Sequence, residues 1–347
     1  MVSAMKVALT GVPGWLGSRF VEIILDGYGD ARAPELPEVE ALSILVEPSR
    51  EAPVRLPGNA RVVRGDVRDG AAVAELVAGA DVVFHGAAII HPPWRHVGLL
   101  DEVNVGGTEN VIEAAVAAGV KRLVYVSSNS AAGANTRLGR PFREDDRTTP
   151  YLAYGASKAA SEARVLAASR AGRMEGAILR PCWYYGPWQA DRQTRFFRMI
   201  AKGNPVLFGS GRNLRSLTYV DHLTAAMFAA AETPAADGQM YWIADERPYE
   251  TVEIYNAIAD ALGVPHPRPR KLPGLVSRVC GVADRIIQRA GLYWTEVHVA
   301  GEMCDDIACS VDKARQELGY SPWVTLAEGM ERSVNWCRER GMQLAAR

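Results

Sequence analysis

The five cysteines (Cys182, Cys280, Cys304, Cys309 and Cys337) include no Cys-x-x-Cys pair, and their number is odd. This usage argues against a disulfide framework and against a cysteine-built zinc site, and it fits a reducing compartment. His91 and His96 stand close in sequence with no companion cluster, so no metal site is read. Neither sign of charge is in excess. With 39 basic and 40 acidic residues the formal net charge is −1, and no block of like charge marks a footprint for nucleic acid or an anionic membrane. Long hydrophobic runs are missing too. The most apolar stretch, LVAGADVVFHGAAII, is too short for a membrane span and carries Asp81 and His85. The opening MVSAMKVALTG lacks the apolar core and cleavage site of a signal peptide, so a cytoplasmic location is the expectation. Internal repeats and low-complexity segments are also lacking. What is present is an ordinary globular composition. The 347 residues are 48% hydrophobic and 23% charged, enough to bury a large core in one large or two ordinary domains.

The first half alternates between strand-like and helix-like stretches. Lys6 to Thr10 reads as a buried strand, followed by Gly11-Val12-Pro13-Gly14-Trp15-Leu16-Gly17 and an apolar-periodic helix through Leu25. Glycines at these positions allow a tight turn (Gly11), close backbone approach (Gly14) and helix–strand packing (Gly17). The helix N-terminus is then aimed at a pyrophosphate. The spacing is Gly-x-x-Gly-x-x-Gly, not the commoner Gly-x-Gly-x-x-Gly. A second strand, Ala41 to Val46, ends at Glu47, where a carboxylate would accept from adenosine ribose hydroxyls and repel a 2′-phosphate. Arg50 nearby could pair with that phosphate, and the reading favours NAD over NADP. Glu47 is otherwise a solvated strand end.

Further strands are expected at Arg61–Arg64, Asp81–Phe84 and Leu123–Val126, with a helix over Asp101–Ala118. Asp66 either reaches the adenine edge or caps the helix beginning near Asp69. The small residues of His85-Gly86-Ala87-Ala88 would let backbone approach a cofactor, whereas His85 reads as a packed, hydrogen-bonded histidine. Ser127 and Ser128 lie at the end of the fifth strand, where ligands sit in open parallel sheets. After a sixth strand at Ala177–Leu179 the alternation loosens. Leu217–Val220, a helix from Asp221 to Ala231 and a strand from Gln239 to Ala244 read as a return to the sheet. Thr251 is taken to cap a helix to Leu262, residues 265–274 to form a loop or linker, and Leu275–Ala290 to be an amphipathic helix over a substrate cleft. Helices near Asp312–Leu318 and Leu326–Arg340 close the chain.

The stretch Tyr154-Gly155-Ala156-Ser157-Lys158 carries the chemistry. In a helix over 151–170, Tyr154 and Lys158 share one face a turn apart. A phenol titrates near pH ~10, and a neighbouring ammonium favours its ionised form, making the pair a usable acid/base at neutrality. Ser128 would hydrogen-bond the reacting oxygen from the opposite side.

In order along the chain, Thr10-Gly-x-x-Gly-x-x-Gly17, Gly65-Asp66-Val-Arg-Asp69, His85-Gly-Ala-Ala88, Asn104-Val-Gly-Gly-Thr108, Val126-Ser-Ser128, Tyr154-x-x-x-Lys158, Leu179-Arg-Pro181 and Tyr185-Gly-Pro187 resemble the extended short-chain dehydrogenase/reductases. Within that group VFHGAAIIHPPW, NLRSLTYVDH and the C-terminal DKARQELGYSPWVTLAEGMERSVNWC look most like the 3β-hydroxysteroid and sterol dehydrogenase branch. The resemblance implies an α/β fold: a Rossmann-type doubly wound parallel sheet with a smaller, mixed α/β C-terminal substrate domain. Its implied division is a dinucleotide-binding domain over 1–181, to which 217–247 returns, with the rest of 182–347 mainly binding substrate. It implies Tyr154 as acid/base, Lys158 holding the ribose and tuning Tyr154, Ser128 positioning the reacting oxygen, and Asn104 in support. Gly11, Gly14 and Gly17 would bind pyrophosphate, Asp66 adenine and Glu47 ribose, with Pro181 near the nicotinamide. Trp15, Leu16, Val67 and Ala87 are further cofactor candidates, and Tyr184 and Arg215 are substrate candidates. Family members are often dimers joined through helices matching 101–118 and 152–170, so a homodimer is the expectation.

Three reactions share this machinery: interconversion of a secondary alcohol and a ketone, epimerisation of a nucleotide-sugar, and its dehydration. Dehydration needs an additional acid and base, and the run Ser128-Asn129-Ser130 has no carboxylate, which disfavours it. Arg215 could clamp a diphosphate or pair with a surface carboxylate. The C-terminal resemblance and the apolar 272–292 segment favour the alcohol–ketone oxidoreductase over the epimerase. A non-catalytic nucleotide-binding protein is the least favoured reading, because both Tyr154 and Lys158 are present.

Overall fold

The computed structural model describes residues 4–51, 55–135 and 139–344. Up to Pro181 strands and helices alternate except between β2 and β3: β1 (Met5–Val12), α1 (Trp15–Asp26), β2 (Val39–Val46), β3 (Ala60–Arg64), α2 (Gly70–Val77), β4 (Val82–His85), α3 (Gly107–Ala117), β5 (Arg122–Val126), α4 (Leu152–Arg170) and β6 (Glu175–Pro181). Shorter elements follow: β7 (Trp183–Tyr185), α5 (Asp191–Ala201), β8 (Val206–Phe208), β9 (Leu214–Arg215), β10 (Leu217–Tyr219), α6 (Val220–Glu232), β11 (Met240–Ile243), β12 (Tyr249–Glu250), α7 (Thr251–Leu262), β13 (Arg270–Leu272), α8 (Gly274–Arg289), α9 (Thr295–Glu302), α10 (Asp312–Leu318) and α11 (Leu326–Glu339).

The main sheet has the order β3-β2-β1-β4-β5-β6-β11, and every neighbouring pair is parallel. Its strands are apolar on both faces, as strands covered by helices on both sides must be. The two-residue period shows in β4. Phe84 packs with Phe20 of α1 and Phe228 of α6, while Val83 faces the cluster of Val73, Leu76, Val111 and Val165 from α2, α3 and α4. Strand order reverses between β1 and β4. This is the switch point at which open α/β sheets leave a crevice beyond the strand carboxyl ends.

A second, smaller body combines β7, β10, α5, α7 and α11 around Tyr185, Phe197, Tyr219, Ile254 and Met330. The fold is therefore a Rossmann-type parallel sheet carrying a smaller mixed α/β part made from the later residues.

Four expectations change. Of the two later strands expected in the sheet, only β11 joins it, beside β6. β10 pairs instead with β7 in a separate two-stranded ribbon, which holds the segment after Pro181 over the crevice. The 265–274 stretch is more than a linker, because Arg270–Leu272 forms β13 on β8. Thr251 does not cap α7. Glu250 occupies that position, and the Thr251 hydroxyl donates to Asn213 Oδ1 at 3.0 Å. Finally, the helix expected from Asp101 starts as one wide π turn, Asp101–Gly106, before α3. Such turns are frequent at functional sites, and this one carries Asn104.

Candidate active site

The glycine turn closes on itself as its spacing requires. Gly14 N–H donates to the Gly11 carbonyl at 2.8 Å, and Gly11 has φ of 95°, which suits glycine. A Cβ at Gly11 would lie 2.9 Å from the Gly86 carbonyl carbon, and Cβ atoms at Gly14 and Gly17 would lie 2.7 and 2.5 Å from the Gly11 oxygen. Backbone from β1 and β4 thus meets here with no room for side chains. The N-terminus of α1 has no capping side chain and no acidic residue in its first turn, leaving its N–H groups for an anion. These features fit the pyrophosphate of a dinucleotide. Leu16 is buried beneath the turn, and Trp15 reaches over it, donating from Nε1 to the Pro187 carbonyl at 2.5 Å and meeting Tyr184 edge-on.

Farther along the crevice, Glu47 is exposed at the end of β2. Its carboxylate accepts from Ser49 Oγ at 2.8 and 2.7 Å and lies 3.7 Å from Arg50 Nε. Asp66 is held by Arg68 through the backbone N–H and the guanidinium, which keeps its carboxyl below the usual range. The helix cap is Asp69, not Asp66. Val67 is buried against Gly107, with its carbonyl accepting from Asn110 Nδ2. The Ala87 N–H donates to Thr10 Oγ1 at 3.1 Å, and the same hydroxyl meets His85 Nδ1 at 2.7 Å. On the other side of that ring, Nε2 lies 3.0 Å from Thr108 Oγ1, which donates to the Asn104 carbonyl. Burial pushes the His85 pKa down to about 3, with Lys158 adding to the effect. His85 is a neutral strut between β1 and the Asn104 turn, as the packed reading expected.

Tyr154 and Lys158 both lie on the inward face of α4. Lys158 Nζ donates to the Val126 carbonyl at 2.7 Å and stands 4.2 Å above the centre of the Tyr125 ring. Burial pushes the Lys158 pKa down to about 7, opposed by Glu162. Ser128 begins a short turn whose Ser130 N–H donates to Ser128 Oγ at 3.2 Å. That turn is pinned to α4. Tyr151 N–H donates to the Ser130 carbonyl at 2.9 Å, and a Cβ on Gly155 would lie only 2.2 Å from the same oxygen. Leu152, at the start of α4, has φ of 52°, the left-handed conformation that a leucine rarely adopts and that clusters at functional sites.

Asn104 ties this assembly to the loop after β4. Its Oδ1 accepts from Ile89 N–H at 2.9 Å, and its Nδ2 donates to the Ile89 carbonyl and to Ser157 Oγ. Pro181 ends β6, buried beside Ile243 of β11.

Several contributors were not singled out from the sequence. Glu162, one turn beyond Lys158, makes a buried two-bond pair with Arg180 (2.7 and 2.7 Å) and accepts from Ser127 Oγ at 2.6 Å. This triad locks the ends of β5 and β6 to α4. Ser157 and Gly155 complete the helix contacts. The sequence did contain a signal for Glu162, namely a lone acid at helical spacing from Lys158.

Of the substrate candidates, Tyr184 lies at the mouth of the crevice, its phenol raised by burial and by the nearby Tyr154. It lines a small cleft with Trp183, Tyr185 and Phe196. Arg215 is buried. Among the described residues it makes no ion pair with a carboxylate, although its charge acts on the buried Glu302 and Asp305 carboxyls; one terminal nitrogen donates to the Glu302 carbonyl at 2.5 Å, and its Nε has no hydrogen-bond partner among the described residues. Near it, Ser130, Tyr151, Glu302 and Asp305 line a small pocket, and burial raises both carboxyls.

A dinucleotide cradle at the switch point, with a tyrosine–lysine pair buried next to it, defines an NAD(P)-dependent oxidoreductase of the Rossmann type. A family model described as the NAD dependent epimerase/dehydratase family matches residues 7–244, and the chain belongs to that family. An uncharacterised protein of Sinorhizobium fredii is 38% identical over 98% of this chain and 97% of its own length. A 3-beta-hydroxysteroid dehydrogenase of Mycolicibacterium neoaurum is 30% identical over 94% of this chain and 89% of its own. Among solved structures, DesIV, a dTDP-glucose 4,6-dehydratase of Streptomyces venezuelae with NAD and TYD bound, is 27% identical with a TM-score of 0.74, covering 97% of this chain and 98% of that one. The glycine turn and the family together support binding of NAD(H).

Proposed function

We propose that the protein acts on a secondary hydroxyl of a nucleotide-linked sugar, oxidising it and returning the hydride to the resulting ketone, as an epimerase does. This reverses the order that the sequence alone favoured. The observation that carries it is Arg215: a buried guanidinium beside the Ser130–Tyr151 pocket with an unspent N–H donor, the group that suits a diphosphate. The likeness to an NAD-containing dehydratase of a dTDP-sugar supports the same class of substrate. Dehydration itself stays disfavoured, because Asn129 and Ser130 supply no carboxylate after Ser128.

In this reading the Tyr154 hydroxyl, as phenolate, takes the proton of the substrate hydroxyl and later gives it back. The Lys158 ammonium, fixed by Val126, stabilises that phenolate and hydrogen-bonds the cofactor ribose. Ser128 Oγ donates to the reacting oxygen. Asn104 acts at a remove, holding the Ile89 loop and Ser157 against α4. Gly11, Gly14, Gly17, Trp15 and Leu16 shape the pyrophosphate cradle, Val67 and Ala87 its walls, and Asp66 and Glu47 the adenosine end, with Pro181 at the nicotinamide. Bound NAD supplies the hydride acceptor. A homodimer through α3 and α4 and a dinucleotide-binding unit of 1–181 with 217–247 belong to the same proposal.

A second reading has its own support: a steroid-like secondary alcohol, favoured by the 30% identity to a 3-beta-hydroxysteroid dehydrogenase over nearly the whole chain. Thermal shifts with NAD together with UDP, dTDP or a 3β-hydroxysteroid separate the two. Stabilisation by a nucleoside diphosphate that Arg215→Met abolishes supports the sugar reading. Net NADH formation from a steroid alcohol, with no response to either diphosphate, replaces it with the second.

A further inference from the structure

Helix α8 is built with its polar side inward. The residues it buries are Ser277, Asp284 and Gln288. The Ser277 hydroxyl donates to the Ala300 carbonyl at 2.7 Å. Asp284 accepts from Gln288 Nε2 at 3.0 Å and from His298 Nδ1 at 2.7 Å, and Gln288 Oε1 accepts from the Ala153 N–H at 3.0 Å. These bonds fix the rotation of the helix about its axis and dock it on α9 and on the first turn of α4. The opposite side carries Leu275, Val279, Val282 and Ile286, which are 68, 59, 57 and 63% exposed. At about 100° per residue these four fall within about 60° of arc, and Arg278, Arg285 and Arg289 occupy the adjoining ~40°. All three arginines are exposed, and none makes an ion pair among the described residues, although Arg278 lies near enough to Asp305 for its charge to act on that carboxyl. Val276, Val299 and the edge-on pair Trp94–Trp294 extend the apolar surface to the neighbouring loop and α9.

A contiguous apolar ridge of this size on a water-facing helix marks an interaction surface, and its charge pattern selects the occupant. Residues 268–289 hold six basic side chains (Arg268, Arg270, Lys271, Arg278, Arg285, Arg289) against a single acid, Asp284, which is buried. A second copy docked ridge to ridge about a two-fold axis would bring arginine row to arginine row with no exposed carboxylate on the helix to answer it. An anionic lipid surface answers both features: aliphatic side chains enter the acyl boundary, arginines meet phosphates, and tryptophans settle at the headgroup level. The near-neutral net charge hid this row, because its arginines are spread at helical spacing and form no block. We propose that α8, with Trp94 and Trp294 at its edge, is a docking face for the surface of a membrane rich in anionic phospholipid. Nothing in this depends on which substrate the active site takes.

The test is co-sedimentation of the full chain with phosphatidylcholine vesicles with and without phosphatidylglycerol. The expected result is preferential pelleting with phosphatidylglycerol, by about tenfold or more, weakening as salt is raised. Val279→Asp with Ile286→Asp should cut this pelleting by about tenfold or more, since apolar insertion is half of the attachment. Arg278→Glu with Arg285→Glu should remove the preference for phosphatidylglycerol. In both variants the melting temperature and NAD binding stay those of the parent, because all four altered side chains are exposed. Equal pelleting with both kinds of vesicle, no pelleting with either, or pelleting untouched by both pairs of substitutions would overturn the proposal. So would a concentration-dependent dimer that Val279→Asp with Ile286→Asp dissolves and that binds no vesicles, which would assign the face to a second copy.

Discussion

Helices α4 and α8 touch each other, and both turn polar side chains inward, yet the two faces left outside differ completely. α4 buries Ser157, Lys158, Ser161 and Glu162, and its fully outward positions include Ala156, Ala163 and Arg170. α8 buries Ser277, Asp284 and Gln288 and shows water its leucine, valines and isoleucine. In α4 the buried polar groups hold the proposed acid/base pair in place, Lys158 on the Val126 carbonyl and Glu162 on Arg180 and Ser127, and the outer surface is ordinary. In α8 the buried polar groups only orient the helix, and the outer surface is where the helix works. α11 provides the reference, with Leu326, Met330 and Val334 buried as amphipathic packing leads one to expect.

The sharpest way to break this contrast is at Tyr154. Tyr154→Phe should lower turnover by about 10²–10⁴-fold, the usual worth of a positioned acid/base, while NAD binding measured by calorimetry changes little. Retained turnover would reduce α4 to a structural helix. Next comes the buried pair behind it. Arg180→Met leaves the Glu162 carboxylate without its cation and should destabilise the fold by about 3–5 kcal/mol in urea unfolding.

A third prediction sets α11 against α8. Met330→Ala should cost about 2–4 kcal/mol, whereas Ile286→Ala should change stability by no more than ~0.5 kcal/mol. Equal costs would mean that the α8 ridge is packed, not presented.

The smallest effect is a pH slope. Lys158 keeps its proton to about pH 10.5 when unfolded but loses it near 7 in the fold. Between those values the unfolded state binds more protons, so this group's contribution to stability rises with pH across the window and is lost as pH falls toward 7. Its slope is at most ~1.4 kcal/mol per pH unit. Subtracting the urea-derived stability of Lys158→Met from that of the parent between pH 7 and 9 should isolate it, and a flat difference would show that Lys158 titrates as a solvated lysine.

Much of the nucleotide-binding half was legible before any coordinates, because each device leaves a local signature: glycines where backbones touch, period-free apolar strands, and a serine at a strand end. His85 was legible as a strut for the same reason, being one polar residue at the end of a run that must be buried. What the sequence could not deliver depends on distant partners. That β10 joins β7 and not the sheet is decided by strands of three residues, too short to announce their neighbours. The inversion of α8 is not visible in the sequence, which marks an amphipathic helix without saying which side turns inward. Its apolar spacing is that of a packed helix, and only the bonds of Asp284 to His298 and of Gln288 to Ala153 reveal which side turned inward. Glu47 and Asp66 had plausible ligand roles by position, but their actual neighbours, Ser49 and Arg68, lie two residues on, in turns whose conformation had to be seen.

The contact between Gly155 and the Ser130 carbonyl has a mechanical consequence. With no side chain interposed, the serine turn lies directly against the tyrosine helix, so the spacing of Ser128 and Tyr154 is set by backbone contact. A methyl group at position 155 would force the two apart, parting the two hydroxyls while leaving each of them chemically intact.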